Sequence, residues 1–254
     1  GQGFMAEHRL TGLRADLDVY VTFEGDNNVM LQLVAKRLLG DYAKAFKSPD
    51  FGTLAQYVAG QFGEATINRG GLRGLAQNIV DFGSTARSVG YVKDEEHQHQ
   101  LLTDRVHTMV ANIANKLKAA GSDKAKQAEL FNRYQNDLIK AAKAHAELIM
   151  WEAFTSALKT IKDEDSLKIL TWLRDLYGFG LLEENLDWYL INGRLSAARA
   201  EAITEYIDTR LLPRLKPHAE SLVDAFELSP GLVRTTLARD EAARQASRKN
   251  LVRN

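Results

Sequence analysis

Leu101-Leu102-Thr103-Asp104-Arg105-Val106-His107-Thr108-Met109-Val110-Ala111-Asn112-Ile113-Ala114-Asn115-Lys116-Leu117 is the stretch that decides the fold class. Leu102, Val106, Met109, Val110, Ile113 and Leu117 recur at steps of three and four, so they line one stripe of an amphipathic helix. The segment that follows continues the pattern with Phe131, Tyr134, Leu138, Ala142, His145 and Ile149. Two long helices, over 93–120 and 124–162, are expected around a turn at Gly121-Ser122-Asp123. Further helices are expected near 166–177, 181–192, 196–212 and 216–227, with a polar, Arg-rich final helix over 237–254.

The same reading extends upstream. Leu10, Leu13 and Leu17 mark a short helix, and Met30, Leu33, Val34, Leu38 and Tyr42 a longer one that begins near Asp26. Between them Val19-Tyr20-Val21-Thr22-Phe23-Glu24-Gly25 is rich in β-formers and ends in glycine, which predicts an extended connector. Ser48-Pro49 and Ser229-Pro230 each pair a capping serine with a first-turn proline. Glycine recurs at positions 60, 63, 70, 71, 74, 83 and 90, and we place a domain junction there.

Composition supports an all-α protein. Only four prolines interrupt 254 residues that are 45% hydrophobic, enough to bury a sizeable core. Thirty-three basic residues balance thirty-three acidic ones, so no net field draws nucleic acid. The absence of cysteine excludes a disulfide framework, a thiolate metal site and thiol catalysis. No apolar run approaches the roughly twenty residues that span a bilayer. The chain ends Val252-Arg253-Asn254, unlike a Ser-Lys-Leu address, and a bacterial cytoplasm is the expected setting.

The stretch with chemical content is Thr22-Phe23-Glu24-Gly25-Asp26-Asn27-Asn28-Val29. It places a carboxylate on a non-helical connector, follows it with a glycine that lets the backbone turn or approach a ligand, and ends in residues suited to cap a helix. A helix N-terminus stabilises a carboxylate anion, whereas burial against Phe23 and an apolar ligand would make Glu24 more basic. Spacing alone leaves Glu24 and Asp26 open as capping or solvated carboxylates.

Thr-Phe-Glu-Gly-Asp-Asn-Asn-Val-Met-Leu-Gln, over 22–32, resembles the signature of the acyl-CoA oxidases and, more broadly, of the acyl-CoA dehydrogenases. Gly1-Gln2-Gly3-Phe4 resembles the end of that family's Gly-Gly-x-Gly-aromatic turn. Downstream, Leu181 to Leu190, Asn192-Gly193-Arg194-Leu195-Ser196 and Leu215 to Phe226 are similar to the extra helical domain of the oxidases. Asp26-Asn27, where dehydrogenases usually have threonine after the Glu-Gly pair, also favours the oxidases.

The resemblance implies the end of a dehydrogenase-type helical bundle over 1–47, connecting helices and the glycine-rich junction over 48–90, and an oxidase C-terminal bundle over 91–254. It implies FAD as cofactor, fatty acyl-CoA and molecular oxygen as substrates, and a homodimer. Glu24 takes the place of the base that removes the α-proton while the β-hydrogen leaves as hydride. Phe23, Glu24 and Gly25 fall at substrate-binding positions; Gly1, Gly3, Asp26 and Asn28 fall at flavin-binding ones. The family's other domains would precede Gly1, so a C-terminal portion without appreciable activity of its own is expected. A dehydrogenase serving an electron-transfer flavoprotein and a non-catalytic helical module are the alternatives.

Other candidates read as structural. Glu95, Glu96, His97, His99, Asp104 and His107 suggest metal by composition, yet His97 and His99 diverge on a helix, which favours a solvated face. His145 falls on an apolar stripe and reads as a core histidine. Trp151, Trp172 and Trp188 read as core anchors. There is no G-x-S-x-G, no Walker lysine loop and no G-x-G-x-x-G.

Overall fold

A computed structural model of the protein describes residues 2–45, 90, 93–229 and 232. Aspartate or serine starts several of its helices. After α1 (Leu10–Asp18), α2 (Asn27–Ala45) opens on Asp26, whose Oδ1 accepts hydrogen bonds from the backbone N–H of Asn28 at 2.9 Å and Val29 at 3.3 Å. Asp94 and Asp123 cap α3 (Glu95–Lys118) and α4 (Lys124–Arg133) in the same way. α5 spans Gln135–Leu158; α6 (Glu164–Glu183) starts on Asp163 and α8 (Ala197–Tyr206) on Ser196, with the short α7 (Leu186–Ile191) between them. A side-chain oxygen at each of these caps satisfies a donor that the first turn cannot. α9 (Leu212–Leu215) and α10 (Ala219–Asp224) complete the described helices.

The all-α expectation holds, with local corrections. The single helix expected over 124–162 breaks at Tyr134, whose φ of −103° and ψ of 16° leave the helical region. Lys116 of α3 lies over the Tyr134 ring at 4.7 Å and donates to Asp137 at 2.8 Å, so α3 holds the break from outside. The expected extended connector is instead a 3₁₀ turn over Val19–Val21, followed by an isolated bridge between Phe23 and Gly25. Strand formers need a neighbouring strand to pair with, and the described residues contain none. α8 passes into a π-type turn over Ile207–Leu211 just before Pro213, which lacks an N–H for the helical ladder. Ser48-Pro49, Pro230, the glycine-rich stretch apart from Gly90 and the 237–254 end lie outside the described residues. No helix among the described residues is long and apolar enough to cross a membrane.

The chain divides into two compact units, Gly1–Met30 with Ala219–Asn254, and Leu31–His218. In the first, α1 packs against 3₁₀ turns on either side and buries none of its own residues. In the second, α3, α5 and α6 form the core. Leu102, Val106, Val110 and Ile113 of α3 are buried, as are Leu138, Ala142, Leu148 and Trp151 of α5, whereas Ile149 at the end of the expected stripe is half exposed. The buried side of α5 is centred instead on Ala141, Ala144, Leu148 and Thr155, about 100° round a 3.6-residue helix from Ile149.

Trp151 joins the three helices. Its indole N–H donates to Oε1 of the buried Gln98 on α3 at 3.2 Å, and the Arg174 guanidinium of α6 lies over its ring at 5.1 Å. Gly178 of α6 sits against the same pair: a Cβ there would overlap Gln98 Oε1 and stand 2.8 Å from Trp151 Nε1. Gly178→Ala gains helix propensity but forces this contact apart, and overpacking of a filled core typically costs about 1–3 kcal/mol against about 1 kcal/mol gained. A net loss of about 1 kcal/mol, read as a lower urea midpoint with an unchanged slope, is expected; wild-type stability would show that the helices move apart freely.

Candidate active site

Gly25 sets the shape of the Glu24 segment. Its φ of +121° is a conformation that side-chain-bearing residues rarely adopt, whereas a Cβ there would meet only Met30 Sδ at 3.7 Å. Backbone conformation, and not lack of space, therefore requires glycine. The Gly25 N–H donates to the Thr22 carbonyl at 3.0 Å, which closes a tight turn over Thr22–Gly25. Asp26 then caps α2, so the short carboxylate that follows the turn is engaged by the helix.

Glu24 stands at the outside of this turn. Its side chain is exposed, and its backbone N–H has no partner among the described residues. Phe23 is 71% exposed, with Tyr20 6.2 Å away between ring centroids, so the expected burial of Glu24 against Phe23 is not formed here. Asn28 lies exposed on the first turn of α2 and donates its backbone N–H to Asp26. Phe23, Glu24, Gly25, Asp26 and Asn28 are thus one continuous surface segment. Gly3 belongs to the same compact unit, on a 3₁₀ turn where a Cβ would come within 2.9 Å of Leu10 Cδ1. Gly1 lies outside the described residues.

The acidic and histidine cluster on α3 is distributed among ion pairs, not solvated throughout. Glu95 accepts from Arg174 at 2.8 Å, His99 pairs with Glu152 at 2.8 Å and stacks on Trp151, and the mostly buried Asp104 pairs with Arg194 at 2.6 Å. No group of three or more potential metal ligands forms among the described residues. His145 is half-buried and not a core residue. The His107 imidazole beside it is held below its ordinary pKa, by burial first and then by His145. Of the three tryptophans only Trp151 is a fully buried anchor. Buried Arg105, Arg174, Arg194 and Arg199 were not anticipated, although Arg105 stands on the apolar stripe that defines α3 and was legible there as a charge in a core position.

Two substitutions test the local geometry. Asp26→Ala removes both cap bonds and should cost about 1 kcal/mol. Gly25→Ala imposes a positive φ on a side-chain residue and should cost about 1–3 kcal/mol. Each should raise the amide-exchange rates of Asn28, Val29 and Met30 selectively; unchanged protection of the first turn of α2 would refute the assigned cap and turn.

Residues 94–241 match the sequence profile of the acyl-CoA oxidase family. A peroxisomal acyl-coenzyme A oxidase 2 of Arabidopsis thaliana is 31% identical over 248 residues, covering 94% of this chain and 33% of the relative. An acyl-coenzyme A oxidase-like protein of Mus musculus is 28% identical and covers 90% and 34%. Among solved structures, acyl-CoA oxidase 1 of Arabidopsis thaliana superposes with a TM-score of 0.72 at 22% identity, over 94% of this chain and 33% of that one. Acyl-CoA oxidase 3 of Yarrowia lipolytica gives 0.72 at 19% identity, over 92% and 31%. These last two likenesses speak to fold. The chain spans about a third of the length of its relatives, and over the greater part of its residues it belongs to the acyl-CoA oxidase family.

Proposed function

We propose that the full-length protein is a flavin-dependent acyl-CoA oxidase, which desaturates fatty acyl-CoA to trans-2-enoyl-CoA and reduces dioxygen to hydrogen peroxide, with Glu24 as its base. One observation bears the weight on the side of the site. Glu24 is presented by a turn that only glycine accommodates, with its carboxylate and backbone N–H both uncommitted among the described residues. A carboxylate that must reach the α-carbon and a donor that must reach a thioester carbonyl both require this freedom. The exposed Phe4, Leu10, Leu13, Leu17, Tyr20 and Phe23 of the same unit fit a surface covered by the rest of the enzyme, or by a second subunit of a homodimer.

The residues present fit a flavin. Gly3 offers backbone without a side chain, Asn28 has a side-chain amide with no partner among the described residues, and Gly1 and Asp26 flank them in sequence. Two acyl-CoA oxidases of Caenorhabditis elegans with the same fold have been determined with FAD, one of them also with ascaroside-CoA. Flavin, when bound, accepts the β-hydrogen as hydride and passes two electrons to dioxygen. This chain's part is to take the α-proton on the Glu24 carboxylate, to donate the Glu24 N–H to the thioester oxygen, and to exclude water with Phe23. Exclusion of water would make Glu24 more basic in the complex.

The oxidase reading is preferred to a dehydrogenase because the family match and the Asp26-Asn27 pair point the same way. In the full-length protein, Glu24→Gln keeps shape and backbone donor but removes the proton acceptor. Acyl-CoA should still bind while anaerobic flavin reduction, followed by stopped flow, slows about a hundredfold to ten-thousandfold. Wild-type-like reduction would remove Glu24 from the mechanism, and turnover with an electron-transfer flavoprotein but without peroxide would exclude the oxidase.

A further inference from the structure

Met150 of α5 and Tyr177 of α6 meet at the surface of the second unit. Met150 is 59% exposed, and its Sδ accepts a hydrogen bond from the Tyr177 hydroxyl at 3.7 Å. The same hydroxyl lies 3.4 Å from the Glu147 carbonyl, one turn earlier on α5, so two acceptors on one helix hold it in place. Burial first, then Glu147 and Glu184, raises the phenol above its ordinary pKa, which keeps it a donor. The other methionines differ. Met5 and Met30 are 47% and 42% exposed and Met109 is half-buried, and no hydrogen bond to any of their sulfurs forms among the described residues.

We propose that Met150 is a site of reversible oxidation by hydroperoxide, at which Tyr177 confines the reaction to one face of the sulfur. A thioether sulfur carries two lone pairs, and oxygen added to one or the other gives opposite epimers of the sulfoxide. In the reaction with hydrogen peroxide an S–O bond forms and the O–O bond breaks. The sulfur loses two electrons to the peroxide, and the second oxygen leaves as water with both protons. The lone pair that faces the Tyr177 hydroxyl is engaged and covered, so attack uses the one that faces solvent. A thioether is a weak acceptor, and the low end of an ordinary hydrogen bond's net strength corresponds to about a threefold bias in rate. Each epimer has its own reductase, so a single epimer at Met150 is restored by a single enzyme. Peroxide is the product of the reaction proposed above, but the chemistry at Met150 needs only a hydroperoxide from any source and does not rest on that reading.

Hydrogen peroxide added to the folded full-length protein tests the proposal. After digestion, the peptide that carries Met150 is incubated with one or the other epimer-specific methionine sulfoxide reductase and weighed by mass spectrometry. One reductase should restore about threefold more of the Met150 sulfoxide than the other, or better. Oxidation of the same protein unfolded in urea should give the two epimers in near-equal amounts, because the phenol no longer holds the sulfur. Tyr177→Phe keeps the ring but removes the donor, and it should bring the folded ratio close to one while circular dichroism and the urea midpoint show that the helices remain. The proposal is overturned if Met150 of the folded protein resists peroxide that oxidises it in urea, if the folded protein gives near-equal epimers, or if the bias persists in folded Tyr177→Phe.

Discussion

The bundle depends on the burial of one indole. Trp151 sits among α3, α5 and α6 at 2% exposure, and a tryptophan in that position needs a partner for its N–H and room for its ring. Gln98 supplies the acceptor from α3, and Gly178 supplies the room by having no side chain on α6. The requirement is mutual. If α6 stood further off to admit a larger residue, the ring would lose the Arg174 guanidinium that now lies on it, and that arginine holds Glu95, Thr155 and Asp175 in turn.

The ion pairs around this centre follow from how arginines enter a core. Arg105 reaches Glu147 at 2.9 Å and Asn185 at 2.7 Å, so its guanidinium links α3, α5 and the start of α7. Such a pair adds little net stability over well-packed apolar residues, because desolvation offsets the attraction, but losing one partner strands a buried charge. Its effect is therefore on which arrangement forms: a slip of α3 by one turn past α5 would separate Arg105 from Glu147. Asp175 shows the desolvation directly. Burial raises its carboxyl above the usual range even though Arg174, 3.0 Å away, pulls in the opposite direction. Tyr189 shows it in a neutral group, where burial pushes the phenol far above its ordinary value and leaves it a donor to the Leu101 carbonyl.

Helix type and capping were legible because both are local. The three-and-four spacing of Leu102, Val106, Val110 and Ile113 needs no knowledge of the partner helix, and Asp26 announces its cap by standing next to Asn27-Asn28. What escaped depends on partners distant in sequence. The break at Tyr134 involves Lys116, the ion pair of Glu95 involves Arg174, and both lie beyond any window over which periodicity is read. The β-formers at Val19–Val21 misled for a related reason: their preference is for a half-buried pleated surface, and no strand stands beside them among the described residues. At the site, the role of Gly25 was readable as a need for an unusual backbone, whereas the exposure of Phe23 and Glu24 was not, since a motif carries no information on what covers it.

The Glu24 segment and the Trp151 core thus solve opposite problems with the same residue type. At Gly178 glycine admits a neighbour, and at Gly25 it admits a backbone angle while the space beside it stays open. In the core, polar groups are paired with one another: indole with glutamine, guanidinium with carboxylate, phenol with carbonyl. In the Glu24 segment Asp26 alone is consumed, by the helix it starts, and that bond fixes where the turn before it must stand. A residue whose neighbours are immobilised while its own carboxylate and N–H remain uncommitted has paid the cost of positioning without losing its capacity to bind. Preorganisation of that kind suits the proton-acceptor role proposed for Glu24, and the cap is left to the short carboxylate of Asp26.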